Sequence, residues 1–443
     1  MIIESMNAAL KGYDQYKDKA YFFKNDQYVR YNWAQDRAEA GAISATTWGL
    51  SGGFASGADA TLNGQGSYRG NAYFFKGNQY VRYNWSTNSV DLVNRPITAW
   101  GLSGTFASGV DAALNGQSPY EGKAYFFKDD KYVRYDWTAD TVDQKPRPLS
   151  AWGLSGAFAS GVDCVLNGEG SFKGKAYFFK DDRYVRFDWA TDQVDLGPAP
   201  IVGNWPGLYE LVLAGVAKST AFGWLWATLP QLEAYAPWLQ TGAPFPYDVT
   251  LLETALAIHF HVEAGWPAAT KIQWVNQILT GYRNIEGVLH RSPEIFQHRT
   301  DDEALADDMV EKDPTTGAPV RDSTGRLQPF HAYGALNGKI SFTRPYPTHG
   351  SLCRAAEVMH EAVHVFDGLS GSKDTHISEW YVTDAEADAL GLSHQPDMPK
   401  VFGTRYNLMS AGNAVHNPSA YVAFAQHIFY QRDARYGAGR PNE

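Results

Sequence analysis

Apolar residues in the first two hundred positions fall in short runs of strand character, and the runs repeat. Lys19-Ala20-Tyr21-Phe22-Phe23-Lys24 returns from Asn71, Lys123 and Lys175, a step of 52 residues each time. A second run keeps the same register: Tyr28-Val29-Arg30-Tyr31-Asn32-Trp33 is answered from Tyr80, Tyr132 and Tyr184. Aromatic and β-branched residues favour strands, and the residues between the two runs are turn formers: Asn25-Asp26, Gly77-Asn78, Asp129-Asp130 and Asp181-Asp182. Each pair of runs therefore predicts a β-hairpin. A further short strand ending in Leu-x-Gly lies near Asn7, Asp59, Asp111 and Asp163. Trp48, Trp100, Trp152 and, one residue late, Trp205 mark the joints between units. About four strands per unit, in four near-identical units, is the arithmetic of an all-β four-bladed propeller over residues 1–208.

Beyond Gly207 the pattern changes to helical periodicity, which predicts a second, mainly α-helical domain over residues 209–443. Residues 208–216, 249–260 and 272–289 read as helices, the first followed by a proline-bearing stretch between Pro237 and Pro246. His259 and His261 are two apart in a helical setting and read as core or supporting residues. Residues 300–328 are acidic and rich in glycine and proline, the pattern of an exposed loop. Gly338-Lys339-Ile340-Ser341-Phe342 reads as an edge strand able to hold an extended peptide alongside it.

The chemistry concentrates in the next helix, Ala355-Ala356-Glu357-Val358-Met359-His360-Glu361-Ala362-Val363-His364-Val365-Phe366-Asp367, which contains H-E-x-x-H. Residues four apart share a helix face, so His360 and His364 can offer two imidazole nitrogens to one Zn²⁺. Glu361 then stands where it can accept a proton from water activated by that metal. The apolar flanks would bury most of this helix, and polar groups there need partners. The alternative is a pair of hydrogen-bonded core histidines. A zinc site open to water needs a third protein ligand. Asp367 is two turns from His360, too far to share the metal, but it could orient His364. Glu379, or His376 three residues earlier, is expected to complete the site, and Glu386 with Asp388 offers a longer spacing. Tyr381 is the expected hydrogen-bond donor to the oxyanion, with Tyr406 and Tyr421 competing for that role.

Composition narrows the function classes. A net charge of −10 argues against a nucleic-acid partner. No run of about 18 apolar residues predicts a membrane span. The start, Met1-Ile2-Ile3-Glu4-Ser5, lacks the basic and apolar regions of a signal peptide, so any export is expected to use another route. The two cysteines, Cys164 and Cys353, form no disulfide framework and read as buried thiols. Asn7, Asp59, Asp111 and Asp163 are equivalent positions that could line a central channel and hold Ca²⁺ or Na⁺, or else serve as solvated or hydrogen-bonded strand ends.

The repeated units resemble hemopexin repeats. That resemblance implies a docking module for a protein, glycan or small-molecule partner and an ion in the channel. Haem is disfavoured, because all 12 histidines lie at or beyond His259. The disulfide that often joins the first and last blades of that family has no counterpart, so closure is expected from packing. The second half resembles the deuterolysin-like zinc endopeptidases (aspzincins) through Leu256-x-x-His259-Phe260, Lys339-Ile340-x-Phe342, His360–His364 and Asn417-Pro418-Ser419-Ala420-Tyr421. This implies a zincin-like metallopeptidase acting on a protein or peptide substrate. The family's third ligand is an aspartate in G-T-x-D, and Gly403-Thr404-Arg405-Tyr406 has none at that place. Together the two halves suit a secreted effector or toxin-like enzyme; a binding protein with a degenerate peptidase fold is the alternative.

Overall fold

The computed structural model describes residues 5–291, 295–313, 315–334, 337–369 and 410–433. They form two compact units: residues 1–215 with 292–303, and residues 216–291 with 304–443.

In the first unit the predicted hairpins form at Lys19–Lys24 with Gln27–Asn32, and at the three equivalent positions. The Tyr-Phe-Phe runs are buried throughout, because each sheet is covered on both faces. An inner strand (Ala8–Lys11, Ala60–Asn63, Ala112–Asn115, Cys164–Asn167) and an outer strand (Arg37–Ser44, Ser89–Pro96, Thr141–Pro148, Gln193–Pro200) complete four antiparallel four-stranded sheets. The four inner strands stand side by side in a ring, the first against the last. Trp205 closes that ring from the last joint. Its indole packs within 5.7 Å of the rings of Phe22, Trp33, Tyr177 and Phe179, and Lys11 adds an ion pair to Glu169. Aromatic packing, that charge pair and a backbone bond from the Ala38 N–H to the Pro206 carbonyl at 2.8 Å all contribute to closure, and Cys164 is buried as a free thiol.

The blades are less alike than the repeat suggests. In the second to fourth, the outer strand is exposed and ends in proline, which protects an open edge from pairing. In the first it is buried and built from small residues, Ala38, Ala40, Gly41 and Ala42. The strand Phe296–His298 pairs with it, Phe296 opposite Gly41. A side chain at Gly41 would meet the Leu211 Cβ at 2.6 Å, so the close approach requires glycine. The repeated arginines of the hairpins are paired: Arg82, Arg134 and Arg186 each hold an aspartate on the outer strand of their blade, and Arg30 holds Glu39.

Helical periodicity is realised after the propeller. Helix α1 spans Leu208–Thr241 and carries both Pro230 and Pro237 inside it. The sequence pattern marked a helix only over 208–216, but buried Leu229, Leu232 and Tyr235 anchor it on either side of Pro230 and up to Pro237. In the second unit, α2 (Val249–Phe260) starts on Asp248, whose carboxylate accepts the N–H groups of Thr250 and Leu251. Helix α3 (Ala268–His290) packs on α5 (Ser351–Leu369), and the Pro418–Tyr430 helix packs on α2 and α5. Phe260, Tyr282, Tyr421 and Phe424 form an aromatic core among them. A short α4 (Asp301–Ala306) precedes a loop stitched by isolated bridges, and the antiparallel pair Ala332–Gly334 and Ile340–Phe342 leads to α5. Among the described residues no helix is long and apolar enough to cross a membrane.

Candidate metal centre

Helix α5 is two-faced, as its sequence requires. Ala355, Val358, Met359, Ala362, Val363 and Val365 are buried, and Cys353, Glu357, His360, Glu361 and His364 occupy the partly exposed side. Residues 353, 357, 360 and 364 are three or four apart, about one helical turn per step, and form one polar stripe with Glu361 at its edge.

Within that stripe His360 and His364 turn their Nε2 atoms toward each other, 3.2 Å apart, with ring centroids at 5.0 Å. Two donors bonded to one tetrahedral zinc at ~2.0 Å lie about 3.3 Å apart. The donor atoms of His360, Glu361 and His364 all fall within 4.8 Å of one another. The pair therefore fits a zinc ion. Glu361 Oε2 accepts the backbone N–H of Gly334 at 2.7 Å, which ties the carboxylate to the strand beside the helix. Strand and helix are close here: a Cβ on Gly334 would stand 2.9 Å from the His364 Cβ.

The strand beside the H-E-x-x-H pair is Ala332–Gly334, whereas the sequence pointed to residues 338–342 for that place. Ile340–Phe342 is buried and pairs with it, and among the described residues no strand flanks Ala332–Gly334 on its other side. Glu379, His376 and Tyr381 lie outside the described residues, as do Glu386, Asp388, Tyr406 and the Asp367 side chain. Tyr421 is buried, and its hydroxyl donates to the Val415 carbonyl at 2.9 Å. His259 is a core residue, its Nε2 3.0 Å from His427 Nδ1, with Asp433 nearby.

Asn7, Asp59, Asp111 and Asp163 take equivalent places as turn caps. Each side-chain oxygen accepts the N–H of the first turn residue of its own hairpin: Asn25, Gly77, Asp129 and Asp181. Those four residues adopt left-handed φ of 52° to 55°, which explains why Asn, Gly and Asp occupy them. Lys128 also pairs with Asp111 at 2.6 Å. Deeper in the ring runs a belt that the sequence did not flag. Asn63, Asn115 and Asn167 each donate to a carbonyl of the preceding blade and accept a tryptophan indole N–H at 2.8 to 2.9 Å. Lys11 stands in the fourth place and cannot accept, so the buried Trp33 Nε1 has no partner.

A second histidine-bearing group adjoins the first and also escaped the sequence reading. His349 Nδ1 lies 2.7 Å from Glu357 Oε1 and 3.4 Å from Cys353 Sγ, and the His331 ring stacks on His349 at 3.8 Å. Cys353 is thus half-buried against a histidine, not an inert core thiol. The contacts with Cys353 and Glu357 hold the His349 imidazolium to about 10, and burial, then the His349 charge, lowers His331. The 353–357 spacing was a visible signal, but the approach of His331 was not.

A hemopexin family model matches residues 110–156 and 170–209. The chain is 31% identical over 177 residues to interstitial collagenase of Equus caballus, covering 39% of this chain and 34% of that protein. It is 31% identical over 114 residues to albumin-2 of Lathyrus sativus (24% and 48%) and 31% over 128 residues to neutrophil collagenase of Homo sapiens (28% and 24%). It thus spans less than half the length of each of these relatives. Among solved structures, a hemopexin fold protein from cow pea is 22% identical, covering 45% of this chain and 95% of that one, with a TM-score of 0.38. A seed albumin from Lathyrus sativus is 24% identical (48% and 99%), with a TM-score of 0.41. With the family match falling on two of four repeated four-stranded sheets, the N-terminal half of this chain is a hemopexin-like domain.

Proposed function

We propose that the helical second unit is a zinc-dependent endopeptidase and that the hemopexin-like domain is its docking module. The observation that carries this reading is the convergence of His360 Nε2 and His364 Nε2 at 3.2 Å beside a glutamate fastened to a strand. His360 and His364 would hold the ion, with Glu379 or His376 as the third ligand. Zinc would supply Lewis-acid activation of water and of the scissile carbonyl. Glu361 does the proton work: held in place by the Gly334 N–H, its carboxylate takes a proton from water and returns it to the leaving amine. Ala332–Gly334, beside that carboxylate, would hold an extended peptide alongside it. Tyr381 is the proposed donor to the developing oxyanion.

A second reading, a binding protein with a degenerate peptidase fold, draws support from Gly403-Thr404-Arg405-Tyr406, which lacks the aspartate of the resembled family. Zinc content and cleavage of an unstructured substrate such as casein separate the two. Glu361→Gln is expected to keep zinc and lower cleavage by at least about a hundredfold. Zinc bound with no cleavage by the parent protein would support the second reading.

A further inference from the structure

We propose that α5 carries a second zinc site, formed by His331, His349, Cys353 and Glu357, one to two turns before the H-E-x-x-H pair. The proposal does not depend on the endopeptidase reading.

The donor atoms of His331, His349 and Glu357 lie within 4.8 Å of one another, and Cys353 Sγ is 3.4 Å from His349 Nδ1. Four ligands at zinc–ligand distances of ~2.0 to 2.3 Å sit about 3.3 to 3.7 Å apart. The Cys353 to His349 spacing already has that value. Glu357 Oε1, at 2.7 Å from His349 Nδ1, needs to draw back by about 0.6 Å once the proton between them is exchanged for the metal.

The present hydrogen bonds do not use the group up. Glu357 Oε2 is buried without a partner, although Oε1 of the same carboxylate is paired. The His331 ring lies 3.8 Å from a His349 ring that is held protonated, an arrangement that places a positive charge against a second imidazole. One divalent ion would engage both imidazoles, the thiolate and the carboxylate together. The scaffold holds the donors in place. Arg354, itself buried, donates to the His349 carbonyl, and Thr343 donates its N–H to the His331 carbonyl at 3.1 Å. Cys353 and Glu357 are four apart on one helix face.

The donor set selects the metal. Two nitrogens, a sulfur and one oxygen suit zinc, whereas calcium and magnesium call for oxygen ligands. Four protein ligands leave no position for water, so the site is structural. It would tie the 331–334 segment to the helix whose histidines and Glu361 lie beside Gly334.

The test uses the full chain, stripped of metal and reloaded with Zn²⁺ or Co²⁺. The parent protein is expected to hold one ion more than the Cys353→Ser and His349→Ala variants. Its cobalt form should show sulfur-to-metal charge-transfer absorption. That absorption should vanish in Cys353→Ser and persist in His360→Ala/His364→Ala, which reports on the first site separately. The other thiol, Cys164, is buried on an inner strand of the hemopexin-like domain and is no member of this group. Should His349→Ala fail to fold by circular dichroism, Glu357→Gln gives the same count. A cobalt form without thiolate absorption, or Cys353→Ser and Glu357→Gln variants with the parent metal content, would overturn the proposal.

Discussion

Gly334→Ala probes the contact on which the proposed chemistry depends. The added methyl would stand 2.9 Å from the His364 Cβ, 3.2 Å from the Glu361 carbonyl oxygen and 3.4 Å from the Val365 nitrogen. Ordinary carbon contacts begin near 3.5 to 4.0 Å, so strand and helix must part by about 0.8 Å. The Gly334 N–H to Glu361 Oε2 bond, now 2.7 Å, would stretch to about 3.5 Å, beyond useful hydrogen-bond length. Overpacking of this kind costs roughly 1 to 3 kcal/mol, and a hydrogen bond to a charged group contributes about 1.5 to 3 kcal/mol. Glu361 is only partly buried, so water recovers some of that bond, and the lower ends of both ranges apply. The expected result is a fall of about 2 to 3 kcal/mol in unfolding stability. Zinc affinity at His360 and His364 should drop about tenfold, as for loss of a supporting contact. Turnover should fall more than KM rises. Chelator competition and casein cleavage measure these quantities. Gly287→Ala, in open space on α3, is the control expected to be neutral or slightly stabilising. A Gly334→Ala protein with parental zinc affinity and turnover would refute the idea that this strand positions Glu361.

Two further outcomes concern the hemopexin-like domain. Asn115→Ala removes a bond to the Asn63 carbonyl and strands the buried Trp137 indole N–H; a loss of about 3 kcal/mol is expected in urea unfolding. Lys11→Ala, at the equivalent place, removes only a partly exposed ion pair and should cost less than about 1 kcal/mol. Equal losses would contradict the role given to the belt. His298 is buried, and desolvation, followed by the Arg37 charge, depresses it to about 4. The unfolded chain binds that proton near pH 6.5 and the folded one does not, so stability is complete above that pH and falls between 6.5 and 4. The loss amounts to about 3 kcal/mol, and His298→Asn should flatten the pH dependence of the urea midpoint across that window.

Where local rules operate, the chain was legible. The hairpins follow from aromatic runs separated by two turn residues, and the register of 52 placed all four at once. The His360 and His364 convergence follows from helix geometry, since four residues bring two side chains above one another. Asn7, Asp59, Asp111 and Asp163 show the limit of this reading. Their equivalence was visible, but the turn N–H that each one accepts was not, because a repeat shows which positions correspond and not what they bond. Pro230 and Pro237 mark another limit, because buried neighbours carried α1 past residues that favour a break.

By itself, the sequence determined the elements: four repeated sheets, the helices after them, and the polar stripe on α5. These depend on periodicity and turn chemistry, which act over a few residues. Tertiary structure alone decided which elements meet. It set Gly41 under Leu211, left Trp33 without an acceptor where Lys11 replaces asparagine, pinned Glu361 to Gly334 and brought His331 onto His349. Such contacts join residues far apart in the chain, and packing selects them from many pairings that local propensity leaves equally open.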